Sequence, residues 1–343
     1  MLLTRRHLLS ACGVAGGTLL LPALPAAADP GPDDWLGWLR ANRGHVAAVF
    51  DDGRGGRLAH RPHEPQPLAS AVHAVHLAGY DLAVRRGTAD PGERVRLGDW
   101  ERYCLASDGG AHQRALAALN LKSSNGVTAD DPNATVALDD LAAVAARYGD
   151  DAAADHLRHR LGEPTLRTAA IRAGWPDAPI PSLLGHRLRE VLGREVDVRR
   201  YLTDPRLQLE VIGRLPDVPR TYGGQRPFAR TTWRGTAAGL HRLHRALDRF
   251  PRALEHLEHQ GHREGGRTAP AGVAGIAVRG GSLPGVLTVG CRVRWYDGRV
   301  AAAALLVEEV DEARYARAAE LVDLVLDALL DPAALGVFQV SLS

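Results

Sequence analysis

Apolar positions recur with strand spacing near both ends of this chain and with helix spacing through its middle. Residues 44–50 form a short apolar run ending in Asp51-Asp52-Gly53, and Arg57-Leu58-Ala59-His60-Arg61 follows a glycine-rich turn. That pattern predicts a β-hairpin. Pro67 and Ser70 then open a helix carrying Val72, Val75, Leu77, Tyr80 and Leu82, and Arg85-Arg86-Gly87 closes it. Segments 138–148, 150–161, 165–173 and 235–249 place Ala and Leu on one side and Arg, Asp or His on the other, as amphipathic helices do. Strand-like runs return at 273–278, 286–295 and 300–307, with Asp297-Gly298 between the last two as a hairpin signal, and a helix over 312–330 follows. The pattern predicts an α/β protein of the α+β kind: one mixed sheet formed by both termini, with an all-helical lobe inserted. The expected division is a sheet lobe of about 29–65 and 270–343 and a helical lobe of about 66–269, with 262–272 as the most linker-like stretch.

Residues 1–28 read as a targeting signal. Thr4-Arg5-Arg6-His7-Leu8-Leu9 is a twin-arginine pattern, an uncharged run extends from Cys12 to Ala28, and Ala26-Ala27-Ala28 forms a small-residue cleavage site. Leu9-Ser10-Ala11-Cys12 resembles a lipoprotein box, but its cysteine precedes the apolar region where an acceptor should follow it. No other stretch approaches the ~18 to 20 apolar residues that span a bilayer. The expectation is a secreted monomer with no stable membrane anchor.

The net charge of +2, from 42 basic and 40 acidic residues, comes from the signal, because removing Arg5 and Arg6 leaves 40 against 40. No basic excess remains to attract nucleic acid. Of three cysteines only Cys104 and Cys291 lie beyond the signal, as one disulfide or two buried thiols, and neither has metal-ligand spacing. His241, His244, His256, His259 and His262 recur at i, i+3, but without a fixed acidic neighbour they read as solvated helix faces rather than metal ligands. No cofactor is implied. Lys122 is the sole lysine, so 41 of the 42 basic residues are arginines. Arginine in place of lysine is therefore a habit of the whole chain.

Three segments carry candidate chemistry: Pro67-Leu68-Ala69-Ser70-Ala71-Val72-His73, Tyr148-Gly149-Asp150-Asp151-Ala152-Ala153-Ala154-Asp155, and Val278-Arg279-Gly280-Gly281-Ser282-Leu283-Pro284-Gly285. Together they resemble the active-site motifs of class A β-lactamases and related penicillin-recognising serine hydrolases, over about Gly44 to Val307. In those enzymes a Ser opens a helix, a Lys stands three residues later, a Y-S-D-N stretch follows, and a K-[TS]-G or K-G-G stretch lies on a late strand. Here His73 and Arg279 stand at the two lysine positions, and Gly149 and Asp151 replace the middle motif's hydroxyl and amide. Asp99-Trp100-Glu101-Arg102-Tyr103, Ser107-Asp108-Gly109-Gly110-Ala111-His112 and Pro179-Ile180-Pro181-Ser182-Leu183-Leu184-Gly185 add to the resemblance.

The resemblance implies a β-lactamase-like fold, Ser70 as nucleophile, and an oxyanion hole from the amides of Ser70 and Ser282 beside Gly280 and Gly281. His73 lies one helical turn from Ser70, where a neutral imidazole could take its proton, or it is a spacer in a dead site. Asp150 keeps a structural place, Asp151 sets a carboxylate where an amide would bind the substrate carbonyl, and Arg279 can hold a substrate carboxylate. The class A segment E-x-x-L-N, whose Glu activates the deacylating water, is absent between Arg172 and Gly193. Glu163-Pro164-Thr165-Leu166-Arg167 comes too soon and has Arg for Asn. Two functions are compatible with this site. One is a weak exported serine hydrolase that acts on a lactam, peptide or ester bearing a carboxylate. The other is an inactive member of the fold that binds cell-wall peptide, lactam or a protein partner. No G-x-S-x-G elbow supports α/β-hydrolase chemistry.

Twin-arginine recognition distinguishes Arg from Lys at equal charge. Replacing Arg5 and Arg6 with lysine should therefore hold the precursor in the cytoplasm, measured by fractionation; normal export of that variant would refute the reading.

Overall fold

A computed structural model describes residues 34–105, 109–261 and 270–343. The expected signal at 1–28, Ser107, Asp108, His262 and most of the linker lie outside the described residues. Among these residues the chain forms two compact units. The helical unit is built from His76–Arg167 and Ile180–Arg220, and the sheet unit from the described residues up to Val75, Thr168–Pro179 and Thr221–Ser343.

The sheet unit holds five strands, β1 (Val46–Asp51), β2 (Arg57–His60), β3 (Val273–Leu283), β4 (Val286–Trp295) and β5 (Val300–Glu308), in the order β2-β1-β5-β4-β3. Both chain ends contribute, as expected. Every ladder in it is antiparallel, which corrects the expectation of a mixed sheet. β1–β2, β3–β4 and β4–β5 are joined by hairpins, β1–β5 pairs the two ends of the chain, and no strand–helix–strand crossover of the kind a parallel pair needs is present among the described strands of this sheet. β4 is buried at nine of its ten positions, so its apolar run does not alternate. Helices cover both of its faces. On one, Val289, Cys291 and Val293 pack with Trp35, Trp38, Leu321, Val325 and Phe338 in the main core.

The other face receives the helix Ala237–Arg245. A Cβ on Gly290 would lie 2.3 Å from His244 Nε2, so the imidazole rests directly on the sheet backbone. Burial holds His244 down to about 3 and His241 to about 4. These two histidines are neutral packing residues, which corrects their reading as a solvated face. Cys104 and Cys291 are both buried and are not bridged to one another.

The sheet unit takes more of the chain than a split at 66 and 269 predicts, because Ala237–Arg245 and Pro251–Gly261 pack on its strands. The terminal helix is broken, with Glu312–Ala316 and Ala318–Leu330 separated at Arg317. A further helix, Pro332–Leu342, is capped by Asp331. It is apolar all round, so periodicity does not reveal it.

In the helical unit Leu138–Tyr148 ends at Gly149, whose φ of 69° makes the left-handed cap that favours glycine. Asp150 then caps Asp151–Leu161 by accepting from Ala153 N at 2.7 Å. One turn on, the buried Asp155 caps the neighbouring helix Leu183–Leu192. It accepts from Leu183 N at 3.0 Å, Leu184 N at 2.6 Å and Ser182 Oγ at 3.0 Å.

Burial outweighs those donors and pushes the Asp155 carboxyl up to about 6, above its ordinary 3.8. A folded-state value above the unfolded one gives a stability contribution that is complete below about 3.8 and is lost as pH rises through about 6. Between about pH 4 and pH 7 the protein should lose roughly 2 to 3 kcal/mol relative to Asp155→Asn in urea unfolding. Parallel pH profiles for the two proteins would count against it.

Candidate active site

Ser70 lies in the 3₁₀ turn Ala69–Val72 that leads into the helix His73–Arg85. From Gln66 through Ala83 every residue is buried except Ser70. The preceding residue, Ala69, has φ of 45°, a left-handed conformation that costs an L-residue about 1–2 kcal/mol. Nearby bonds hold it there. Trp233 Nε1 donates to Ala69 O at 2.8 Å, Leu68 N donates to Trp233 O at 3.2 Å, and Thr288 Oγ1 donates to Pro67 O at 3.2 Å.

β3 approaches this turn backbone to backbone. A Cβ on Gly281 would stand 2.5 Å from Ser70 N and 2.7 Å from Ala71 N, and one on Gly280 would stand 2.6 Å from Thr288 O. Larger residues at either place would push the strand away. Leu283 and Val286 pair across the two-residue turn at Gly285, where φ is 86°. Counted from that pair, antiparallel alternation leaves the Ser282 N–H pointing off the sheet edge. The turn is fixed in its turn by Tyr222, whose hydroxyl accepts from Gly285 N at 2.9 Å and donates to Val310 O.

Arg279 is buried and faces inward. Its Nε donates to Ser70 O at 3.2 Å, and its Nη2 donates to Nδ1 of the fully buried His73 at 2.8 Å. Guanidinium has no acceptor, so the Nδ1 lone pair of His73 is the acceptor in that contact. The imidazole is therefore neutral, with its proton on Nε2. For His73 to take a proton at Nδ1, the bond to Arg279 has to break first. In this arrangement Arg279 clamps the Ser70 turn rather than presenting its fork outward to a carboxylate.

The sheet unit thus gathers Ser70, His73, Arg279, Gly280, Gly281 and Ser282. Asp150 and Asp151 belong to the helical unit. There Asp150 Oδ2 accepts from His112 Nδ1 at 2.8 Å, and His112 Nε2 lies 3.7 Å from Glu101 Oε1. Glu101 accepts from Ala129 N, and the Trp100 ring meets the His112 ring edge-on at 4.7 Å between centroids. All three titratable side chains are buried. Glu101, His112 and Asp150 come from three separate resembling segments, and their convergence accounts for residues that sequence reading could only pair by analogy. Gly149 lacks the hydroxyl expected there because its left-handed cap suits glycine.

Solved structures of known proteins resemble this chain in fold. A β-lactamase from Sphaerobacter thermophilus is similar over 87% of this chain and 99% of its own, at 19% identity and a TM-score of 0.55. A mutant of PBP-A, solved as an acyl-enzyme complex with penicillin G, covers 85% of this chain and 92% of its own at 15% identity, with a TM-score of 0.53. A variant of the last common ancestor of Gram-negative bacteria β-lactamase class A covers 86% and 97% at 18% identity, with a TM-score of 0.52. The chain has the β-lactamase-like, penicillin-recognising fold. No family model and no curated protein matches it.

The Arg279 contact sets an observable tautomer. Nitrogen NMR of His73 should show Nδ1 unprotonated and Nε2 protonated near neutral pH, and Arg279→Ala should remove that preference. A proton on Nδ1 in the unaltered protein would refute the assignment.

Proposed function

We propose that this protein is an exported serine hydrolase of the β-lactamase and penicillin-binding type, weak in turnover, in which Ser70 takes an acyl group from a lactam, peptide or ester. The observation that carries the reading is the single accessible Ser70 in an otherwise buried run, set after the strained Ala69 and against the backbone of Gly281. Strain retained beside the one half-buried residue of this run supports a functional nucleophile.

In this reading Ser70 Oγ attacks the acyl carbon while the amides of Ser70 and Ser282 take the developing oxyanion charge. Backbone donors of this sort are each worth about 10² to 10³ in rate. They survive side-chain substitution, because they belong to the main chain. The Ser70 proton is the weak point. His73 has its Nδ1 lone pair in the Arg279 bond, and a neutral Nε2–H cannot accept. General acid–base help of that kind is typically worth ~10² to 10⁴ in rate. Donors whose leaving groups depart unprotonated should therefore react best, with esters ahead of lactams. The missing E-x-x-L-N segment supports slow release of the acyl group.

The test is intact-mass analysis of the mature protein treated with a fluorophosphonate, an activated ester and a penicillin. Ser70 should be labelled stoichiometrically by the first two, more slowly by the penicillin, and not at all in Ser70→Ala, and the ester should give a burst without sustained turnover. No mass gain with any of the three would leave an inactive binding protein on the same fold.

A further inference from the structure

The helix Tyr222–Arg230 lies outside the three segments that carry candidate chemistry. It belongs to the sheet unit, as do all the partners named below. Near its end the fully buried Ala229 packs against Ala69, the residue before Ser70, and against Val286 and Leu283, which pair across the β3–β4 turn. At its start Tyr222 grips the same turn. The phenol accepts from Gly285 N at 2.9 Å and donates to Val310 O, while its ring meets that of Tyr315 at 5.3 Å between centroids. Burial pushes the Tyr222 hydroxyl above its ordinary value of 10, so it stays a donor at neutral pH.

Between those contacts the helix carries two arginines to one carboxylate. Arg226 Nη2 and Arg230 Nη2 donate to Glu309 Oε2 at 2.7 Å and 2.6 Å. Glu309 has φ of 62°, a left-handed conformation that an L-residue rarely adopts, and Val310 N beside it donates to Gly285 O at 3.1 Å. Half-exposed ion pairs contribute little by themselves. Here they join a buried apolar contact and a phenol bonded in two directions. Strained backbone persists only where its surroundings over-determine it, and this helix meets a strained residue on each side, Ala69 and Glu309.

We infer that the helix Tyr222–Arg230 is a strut that sets the gap between the amides of Ser70 and Ser282, with Tyr222 and Ala229 as positioning residues. Both amides belong to the main chain, so their spacing has to come from what packs behind them. One element reaches Ser70 through Ala69 and Ser282 through the β3–β4 turn. The chemical consequence of that spacing rests on the acyl-serine reading of Ser70, whereas the packing consequence does not.

Two variants test the strut from opposite contacts. Tyr222→Phe keeps the ring and removes both hydroxyl bonds, and Ala229→Val wedges the apolar contact. In each, amide hydrogen exchange followed by NMR should quicken about tenfold at Leu283 and Val310, while Val289 and Val293 in β4 keep their rates. Acylation is then compared between 4-nitrophenyl acetate and its thiono analogue, in which sulfur replaces the carbonyl oxygen. Ser70 Oγ bonds to the acyl carbon, 4-nitrophenolate leaves, and the Ser70 proton passes to solvent. Sulfur fits a hole spaced for oxygen poorly, so each variant should lose about ten- to a hundredfold with the oxygen ester and about threefold or less with the thiono ester. A smaller folded fraction would instead lower both rates equally. Exchange unmoved in both variants, or an oxygen-ester preference equal to that of the unaltered protein, would overturn the strut. An unaltered protein that reacts with neither ester would overturn the acyl-serine reading, and exchange would then decide the strut by itself.

Discussion

The close approach of β3 to the Ser70 turn is the constraint on which the candidate site depends. A strand can reach within van der Waals distance of another segment's amide only if no side chain intervenes, and Gly281 meets that condition at Ser70 N. On the other side of the contact Ala69 is bent into a conformation it would not choose, and Trp233, through its side chain and its backbone, ties the bend in place. Remove the glycine or the indole and the distance between Ser70 and Ser282 is no longer set. The five-stranded sheet supplies the rigidity this needs, since β3 is paired along its length with β4, which is buried on both faces.

Arg279 shows how a chain-wide habit of composition becomes local chemistry. An ammonium at this position would be a point charge with rotatable donors, whereas the guanidinium presents a planar fork. The fork spans two acceptors at once, the carbonyl of Ser70 and the ring nitrogen of His73. That arrangement stiffens the Ser70 turn, and it occupies the Nδ1 lone pair of His73. Arg279 and His73 are therefore coupled through one contact. A neutral imidazole beside an obligate cation is stable only while it accepts.

Much of the fold was legible because strands and helices here obey their periods. β4 follows an uninterrupted apolar run between turn residues, and the Leu138–Tyr148 helix ends where its glycine cap places it. The Pro332–Leu342 helix was not legible, since an apolar segment without a polar face carries no period. The antiparallel β1–β2, β3–β4 and β4–β5 ladders follow from hairpin connections, of which β1–β2 and β4–β5 announced themselves through Asp-Gly, whereas β1–β5 pairs the two ends of the chain. His244 misled for a related reason. Among arginines and histidines on a helix, nothing in the sequence marks the one residue that faces Gly290 across the sheet. Within the candidate site, Ser70, Gly281 and Arg279 could be named from motifs, but the tautomer of His73 depends on a 2.8 Å contact between residues 206 apart in sequence. The Glu101–His112–Asp150 group is likewise long-range, joining residues 38 apart through one imidazole.

In the proposed acyl-serine reading, two kinds of group at the Ser70 turn are fixed differently. Oxyanion stabilisation would rest on backbone amides, and the strain at Ala69 together with the glycines of β3 holds that geometry whatever side chains surround it. Proton transfer would rest on side chains, and the nearest candidate base, His73, has its Nδ1 lone pair in the bond to Arg279. Such a site would favour donors that bring their own good leaving groups, so the limit on acyl transfer would lie in moving the Ser70 proton rather than in placing Ser70.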